Sequence, residues 1–280
     1  MRTTTSWRTE PWRFVVAAVL TLALAGGASA ASHGEPGEVQ WWDLVTEDAE
    51  GAARFYSELL GWDIQRGRRR HYVVRLGGTL IAGISQIDDT LPGVSETMWL
   101  AGITVADIEA SGAAARRLGA RMHRDGRAVG SGRWAAFEDP QGAPVLLIVP
   151  EQTLGRAEGP GAWVWAELWT RDPEASLEFY ETVVGYERSS IDRPRGPYPV
   201  LRSGGEPRAG VVPIEDDKIQ TAWAPYVGVA DLAATLKRSV ELGGRVLMEP
   251  RADLAQGRVA LLADPGDGAF FVYQLEEAGE

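Results

Sequence analysis

Two carboxylates stand out because the same pattern surrounds each of them. Asp43 lies two residues after Trp41, and Glu167 lies two residues after Trp165, 124 positions further along the chain. Residues two apart lie on one face of a strand, so each acid should share a face with an indole ring. Burial beside an apolar ring raises a carboxyl pKa and produces a general base that works without a metal. We therefore predict Asp43 and Glu167 as candidate catalytic residues.

Tryptophans and arginines near these acids could complete a binding site. Indole rings stack on flat or apolar molecules, and a guanidinium group can pair with a carboxylate. The predicted ligand-binding residues are Trp41, Trp165, Trp169, Trp99, Trp223, Arg133 and Arg258. The alternative is structural, because tryptophans in a sheet commonly form the core and each acid can hydrogen bond a neighbouring strand. The recurrence of a costly buried carboxylate at the same place favours a functional role.

The acids belong to a long internal repeat that sets the architecture. Residues 40–62 read as a strand, a turn, a helix and a glycine, and residues 164–186 repeat this order. Three further strand patterns follow each helix, and the whole series then returns once more in each half. The sequence thus predicts an α+β fold of four tandem βαβββ units. We assign residues 37–150 to a first module, 151–161 to a linker and 162–276 to a second module.

Capping residues mark the predicted helix boundaries. Asp48 and Asp107 precede the two helical patterns of the first module. A carboxylate at this position accepts hydrogen bonds from the first free backbone N–H groups of a helix. Gly61 and Gly185 follow the first helix of each module, where a left-handed C-cap is needed. These signals indicate where the chain turns back between strands and helices.

The first thirty residues are typical of a secretory signal peptide. Arg2, Arg8 and Arg13 precede a short apolar run, and Ala28-Ser29-Ala30 supplies a small-residue cleavage site. We therefore expect export to the periplasm or the medium, with cleavage after Ala30 and no membrane span afterwards. An uncleaved anchor is the alternative, although the run is short for a bilayer span of roughly 20 residues.

Charge and composition exclude several classes of partner. The formal net charge is −11, and cleavage after residue 30 removes three Arg and one Glu, which brings it to −13. A chain this acidic repels nucleic acid and anionic lipid. The chain has no cysteine, so it has no disulfide and no thiolate nucleophile or metal ligand. A small molecule is the expected partner, and a homodimer is compatible with the sequence.

The repeat resembles the vicinal oxygen chelate superfamily, which includes glyoxalase I, extradiol dioxygenases, and bleomycin- and fosfomycin-resistance proteins. The resemblance rests on Asp48, Phe55-Tyr56 and Gly61-Trp62 with their second-module copies, on the helix entries at Asp107 and Asp231, and on the Asp-Pro turn at Asp139. It covers nearly the whole chain after residue 37. It implies that the paired sheets of each module form a half-open cup with a pocket inside.

The same resemblance argues against the metal that many members of the superfamily use. Their ligands are His or Gln on the first strand, His before the second helix, and Glu on the last strand. The corresponding positions here carry Trp41 and Trp165, Ala101 and Pro225, and Leu146 with Phe271 or Val272. None of these side chains binds a divalent cation. The three histidines lie elsewhere, at His33, His71 and His123, so we expect no metal and no other cofactor.

Four functions therefore remain, in order of preference. The first is a metal-free binding protein whose tryptophan-lined cups hold a small aromatic or apolar molecule. The second is a metal-free lyase or isomerase with Asp43 or Glu167 as general base. The third is a scaffold whose cups are filled by its own side chains. The fourth is a metal-dependent enzyme of the glyoxalase or dioxygenase type.

Overall fold

The computed structural model describes residues 34–67, 71–87, 96–128, 132–150, 155–193 and 196–276. The expected signal peptide and His33 lie outside these ranges. None of the described helices is long and apolar enough to cross a membrane.

The first module contains eight strands and two helices. Their bounds are β1 Val39–Thr46, α1 Ala49–Leu60, β2 Asp63–Arg66, β3 His71–Leu76, β4 Thr79–Gln86, β5 Met98–Thr104, α2 Ile108–Arg117, β6 Arg121–Ala128, β7 Gly132–Glu138 and β8 Pro144–Pro150.

The second module repeats this order. Its elements are β9 Trp163–Thr170, α3 Pro173–Val184, β10 Glu187–Ile191, β11 Tyr198–Ser203, β12 Glu206–Pro213, β13 Ala222–Val229, α4 Leu232–Glu241, β14 Arg245–Met248, the short 3₁₀ helix Ala255–Gly257, β15 Val259–Ala263 and β16 Ala269–Gln274.

Each module forms one eight-stranded mixed sheet that does not close into a barrel. The strand orders are β2-β3-β4-β1-β5-β8-β7-β6 and β10-β11-β12-β9-β13-β16-β15-β14. The two βαβββ units of a module meet where β1 pairs with β5, and where β9 pairs with β13. The predicted α+β fold of paired units forming half-open cups is therefore confirmed.

The helix ends follow the capping residues. Asp48 Oδ1 accepts a hydrogen bond from the backbone N–H of Gly51 at 2.9 Å, and Asp107 Oδ1 accepts one from Ala110 at 3.0 Å. Gly61 ends α1 in the left-handed region at φ 70°, where a residue without Cβ is favoured. The local sequence thus fixes where each helix begins and where the chain returns to the sheet.

One hydrophobic core joins both modules. It contains side chains from all four helices and from one face of each sheet. Two matching hydrogen bonds cross between the modules inside it: Tyr56 OH donates to Asp264 at 3.0 Å, and Tyr180 OH donates to Asp139 at 3.1 Å. The opposite faces of the sheets are left to form the two candidate sites.

Candidate functional site

The sheet faces turned away from the four α-helices form two surfaces. Cup 1 consists of Trp41, Asp43, Val45, His71, Gly83, Ser85, Met98, Leu100, Gly102, Trp134, Ala136, Leu146 and Ile148. Cup 2 consists of Trp165, Glu167, Trp169, Tyr198, Val200, Gly210, Val212, Tyr226, Val259, Leu261 and Phe271. The predicted carboxylates therefore lie one in each cup, each with its neighbouring tryptophan.

A chain of three polar side chains crosses one side of cup 1. Ser85 Oγ donates a hydrogen bond to Asp43 Oδ1 at 3.0 Å and lies 3.1 Å from His71 Nδ1. All three residues are half-buried. Burial raises the pKa of Asp43, while the charge of His71 and the hydrogen bond from Ser85 act against the increase. The group can therefore accept, hold and pass on a proton.

Gly83 makes the close approach of these side chains possible. A Cβ atom at this position would lie 2.8 Å from His71 Cε1, 3.1 Å from Trp41 Cζ2 and 3.2 Å from Asp43 Oδ2. The imidazole, the indole and the carboxylate thus converge above one glycine. A larger residue at position 83 would push them apart, because real Cβ contacts are not this short.

A second polar pair lies on the far strands of the same module. His123 Nε2 lies 2.8 Å from Glu138 Oε1, and Arg121 also binds this carboxylate. Burial raises the pKa of Glu138, but the hydrogen bonds and charges of Arg121 and His123 bring it below its ordinary value. His123 borders a cavity of about 10 Å³ together with Leu100. This volume is about that of one water molecule.

Cup 2 is closed around its carboxylate. Glu167 is only 2% exposed and accepts hydrogen bonds from Tyr198 at 2.7 Å, Tyr226 at 2.6 Å and Trp169 Nε1 at 3.1 Å. Trp165 Nε1 in turn donates to the Tyr198 hydroxyl at 3.0 Å. Burial raises the pKa of Glu167, and these hydrogen bonds oppose the increase. Both oxygens of Glu167 are thus occupied by the protein itself.

Arg193 supplies the positive charge near this closed carboxylate. Its guanidinium carbon lies 3.5 Å above the ring of Tyr198, and its charge lowers the pKa of Glu167. Both terminal nitrogens are buried, and no described residue is a hydrogen-bond partner for them. The packing of a cation on a tyrosine face partly offsets this loss. Arg193, which lies in the loop between β10 and β11, thus partly compensates the negative charge of Glu167.

The sheet register explains why the two cups differ. Gly102 pairs with Trp41 in the first module, whereas Tyr226 pairs with Trp165 in the second. A tyrosine therefore stands in cup 2 where cup 1 has a glycine, and Trp41 packs directly against that glycine, with its Cβ and Cδ1 atoms 3.0 Å from the position that a Cβ of residue 102 would take. Trp41 is half-buried, while Tyr226 is 2% exposed. The carboxylate side of cup 1 is thus less enclosed than that of cup 2, since Asp43 is half-buried and Glu167 is 2% exposed.

Three further equivalent pairs reinforce this contrast. Strand pairing matches His71 with Tyr198, Ser85 with Val212, and Leu146 with Phe271. Phe271 stacks on Tyr226 with ring centroids 4.3 Å apart. The second module therefore carries the larger side chain at each of these three positions. The chemistry available to a ligand is concentrated in cup 1.

The structure corrects the expected positions of the arginines. Arg133 pairs with Glu109 rather than with Asp43. Arg258 pairs with Glu276 at 2.9 Å and also hydrogen bonds Tyr273, rather than reaching Glu167. The two arginines occupy equivalent positions, since Arg133 lies on β7 and Arg258 directly precedes β15. Neither side chain is paired with the carboxylate of its cup in the described structure.

The structure also corrects the positions of two tryptophans. Trp99 pairs with Leu44, and Trp223 pairs with Leu168, so both lie on the helix-facing side of the sheets. Their indole nitrogens donate to the hydroxyls of Tyr56 at 3.2 Å and Tyr180 at 2.9 Å. They belong to the core between the modules and not to the cups.

The superfamily's metal does not fit cup 1. Ala101 lies in the core, and its neighbour Gly102 is the residue that shares a face with Trp41. Leu146 pairs with Gly102, so Trp41, Gly102 and Leu146 meet where ligands would be required. None can bind a cation. Among the described residues, no three His, Cys, Asp or Glu side chains form a group that could hold a metal ion.

Sequence reasoning missed the partners of Asp43. His71 was expected at a strand end unrelated to the site, yet it lies beside Asp43 through Ser85. Alternation along β4 places Ser85 on the same face as Gly83, and His71 pairs with Ser85. The signal was present in the alternation of β3 and β4, but using it required their register. Tyr198 and Tyr226 were missed for the same reason.

A family model described as a glyoxalase-like domain matches the chain twice, over residues 41–148 and 164–273. The chain is 31% identical over 244 residues to the putative glyoxylase CFP32 of Mycobacterium bovis, which covers 84% of this chain and 93% of that protein. It is 30% identical over 262 residues to the anthracycline biosynthesis protein DnrV of Streptomyces peucetius, and the match covers 86% of this chain and 94% of that protein.

Solved structures share the fold at low sequence identity. The 2,3-dioxygenase LapB from Pseudomonas sp. KL28 superposes with a TM-score of 0.61 at 13% identity, covering 90% of this chain and 96% of that one. The Mn(II)-bound glyoxalase from Novosphingobium aromaticivorans superposes with a TM-score of 0.59 at 14% identity, and the match covers 85% of this chain and 82% of that one. Identities this low concern the fold alone.

Proposed function

Because the chain belongs to the glyoxalase-like family of the vicinal oxygen chelate superfamily, we propose that it binds a small aromatic or apolar molecule in cup 1 without a metal. The observation that carries this proposal is the exchange of Tyr226 in cup 2 for Gly102 in cup 1. Cup 2 encloses its carboxylate with aromatic side chains, whereas the polar groups at one side of cup 1 are half-buried. The ligand packs on the half-buried ring of Trp41, which lies against Gly102 in the first module.

The lining of cup 1 suits a flat molecule with one polar group. Trp41 is half-buried and offers indole surface for stacking. Leu100 and Leu146 are buried apolar side chains at the centre of the sheet. The polar groups lie together at Asp43 and its neighbours. Such a distribution, with apolar walls and a few placed polar groups, is typical of small-molecule sites.

Two of the named relatives support this ligand class. DnrV and DauV are described as anthracycline biosynthesis proteins, and anthracyclines contain a flat fused-ring system. CFP32 is described as a putative glyoxylase. We extend only the ligand class to this chain, since the ligand positions of the metal-dependent members carry Trp41, Gly102 and Leu146 here.

We test the proposal with 1,4-dihydroxyanthraquinone as a flat tricyclic probe, followed by calorimetry and tryptophan fluorescence. Gly102→Tyr gives cup 1 the residue of cup 2 and should weaken binding at least about tenfold, or about 1.4 kcal/mol. Tyr226→Phe in cup 2 is the matched control and should leave the affinity unchanged. Equal affinity of Gly102→Tyr and the parent protein would overturn the proposal.

A metal-free lyase or isomerase is the second candidate. The hydrogen bond between Asp43 and Ser85, with His71 behind it, favours it, because these groups can move a proton to or from a bound substrate. Glu167 is less suited to this role, since its oxygens are held by Tyr198 and Tyr226.

Export and the metal-free state are part of the proposal. The basic start, the apolar run and Ala28-Ser29-Ala30 support cleavage after Ala30. Mass spectrometry of the native protein checks this, and a chain that begins at Met1 would contradict it. Elemental analysis of protein purified without chelator checks the absence of a stoichiometric transition metal.

A further inference from the structure

Two nitrogen atoms in cup 1 are available to a ligand. Within the part of the chain that the structure describes, His71 Nε2 and Trp41 Nε1 make no hydrogen bond, and neither is among the enclosed polar atoms. His71 Cε1 and Trp41 Cζ2 both approach the space above Gly83. These carbons are one and two bonds from the free nitrogens. The two rings therefore meet above Gly83, one with an acceptor nitrogen and the other with a donor N–H.

The hydrogen-bond chain fixes which nitrogen is the acceptor. Ser85 donates its hydroxyl proton to the Asp43 carboxylate, so the Ser85 oxygen accepts from His71 Nδ1–H. The other nitrogen, Nε2, then carries a lone pair in the neutral ring. Once Nε2 gains a proton, the negative charge of Asp43 stabilises the imidazolium through Ser85. Trp41 Nε1–H can only donate.

Resting on the function proposed above, we propose that cup 1 takes phenols and holds them as phenolate anions paired with a protonated His71. The phenol O–H bond breaks, an N–H bond forms at His71 Nε2, and the electron pair stays on the phenol oxygen. Trp41 Nε1–H donates a hydrogen bond to that oxygen. The step needs no other reactant, and reversal returns the proton to the leaving phenol.

The surrounding charges favour a phenol over a permanent ion. Asp43 is the charged group that the described residues place against the His71–Ser85 pair, and the chain carries a formal charge of −11. A carboxylate ligand would have to enter as an anion beside Asp43. A phenol enters neutral and passes its proton to His71, so its binding adds no net charge to the site that holds Asp43. A cation is disfavoured because the Trp41 N–H group presents its partly positive hydrogen to the ligand.

The second module provides an internal comparison. Tyr198 stands in place of His71, and Val212 stands in place of Ser85. Tyr198 already donates to Glu167 at 2.7 Å, so the described residues of cup 2 do not reproduce the histidine and serine of cup 1. The Tyr198–Glu167 contact shows within the same fold how a phenol hydroxyl lies beside the carboxylate of the first strand.

The test uses the full chain with 4-nitrophenol, whose anion is yellow and whose neutral form is nearly colourless. Its methyl ether, 4-nitroanisole, has the same shape without the proton. We expect bound 4-nitrophenol to show the anion band at a pH where the free probe is mostly neutral. His71→Phe should remove this band and weaken 4-nitrophenol binding about tenfold, with 4-nitroanisole binding unchanged. Ser85→Ala keeps the imidazole but breaks the relay, so the anion fraction should fall.

Tyr198→Phe is the matched control in cup 2 and should alter neither probe. If His71→Phe fails to fold, His71→Gln keeps a polar side chain without a base and replaces it. A bound probe that stays neutral, or an anion band that survives in the His71 variants, overturns the phenolate inference and leaves the binding function standing. Failure of the anthraquinone and both nitro probes to bind the parent protein overturns both.

Discussion

At the scale of single residues, the two recurring acids have different surroundings. Asp43 is half-buried and is bound by one side chain, Ser85. Glu167 is 2% exposed and is bound by Tyr198, Tyr226 and Trp169. The repeat preserved an acid at the end of the same tryptophan pattern, while the second module enclosed it. Glu167 is therefore the centre of a structural network, and Asp43 is the less enclosed of the two acids.

This difference predicts unequal costs for the same substitution. Glu167→Leu leaves the hydroxyls of Tyr198 and Tyr226 buried without an acceptor, at about 1–3 kcal/mol each. Asp43→Leu affects groups that still reach solvent, so it should cost less than about 1 kcal/mol. Urea denaturation of both variants measures the free energies of unfolding.

A triple variant serves as the control for the Glu167 measurement. Adding Tyr198→Phe and Tyr226→Phe to Glu167→Leu removes the unpaired hydroxyls and should recover much of the lost stability. Similar losses for the two single variants would contradict the assignment of Glu167 as the structural acid.

At the scale of elements, the Asp-Pro turns connect the modules. Asp264 Oδ1 accepts backbone hydrogen bonds from Gly266 and Gly268, both at 2.8 Å, while its other oxygen accepts from Tyr56. Asp139 holds Tyr180 in the matching way. Each turn between the last two strands of one module thus anchors the first helix of the other.

The turn at Asp264 predicts a pH effect on stability. Burial raises the pKa of Asp264 to about 6, above the 3.8 of the free side chain. The folded state therefore binds more protons between these values, and the contribution of Asp264 is full below pH 3.8 and lost as the pH rises through about 6. Thermal melts across this range should show a steeper decline for the parent protein than for Asp264→Asn.

The exposed helix cap Asp231 provides the control for this pH series. Asp231→Asn keeps a capping oxygen for Ala234, so its melting temperatures should follow those of the parent protein. A parent protein and an Asp264→Asn variant with parallel pH curves would contradict the predicted role of Asp264.

The elements themselves were predictable because their signals are local. Asp48 and Gly61 bound α1 as expected, and the repeat gave the four βαβββ units. The face of the sheet on which Trp99 lies was not predictable in the same way. Trp41 pairs with Gly102, an odd number of positions from Trp99, and this register places Trp99 on the opposite face. Strand alternation gives two faces but does not say which one is the cup.

Only part of the candidate site was predictable from the sequence. The repeat identified Asp43 and Trp41, because it preserves their spacing within one strand. Ser85 lies on another strand, and it meets Asp43 through a parallel pairing of β4 with β1. Such contacts depend on sheet order and on bulges, for example the shift between Val74 and Arg75 in β3. Neither the order of strands in a sheet nor the position of a bulge can be read directly from a single sequence.

At the scale of the whole molecule, the segment before β1 fastens the first module to the second. Arg208 on β12 pairs with Glu38 at 3.0 Å and Glu35 at 2.8 Å. Tyr186 OH donates to the carbonyl of Gly37 at 2.7 Å. The side chains of Arg208 and Glu38 are only 10% and 11% exposed, whereas that of Glu35 is 52% exposed. The contact is thus a buried ion pair with an exposed extension.

Removing the cation from this contact should destabilise the whole molecule. Arg208→Met leaves the charge of Glu38 buried and unpaired, which costs about 3–5 kcal/mol. Glu35→Gln removes only an exposed charge and should cost no more than about 1 kcal/mol. The double variant Arg208→Met with Glu38→Gln removes both buried charges and should regain part of the loss. Urea denaturation measures all four free energies, and the inference fails if Arg208→Met costs no more than Glu35→Gln. A single transition in the parent protein would in addition mark the two modules as one cooperative unit, as expected for sheets that share one core.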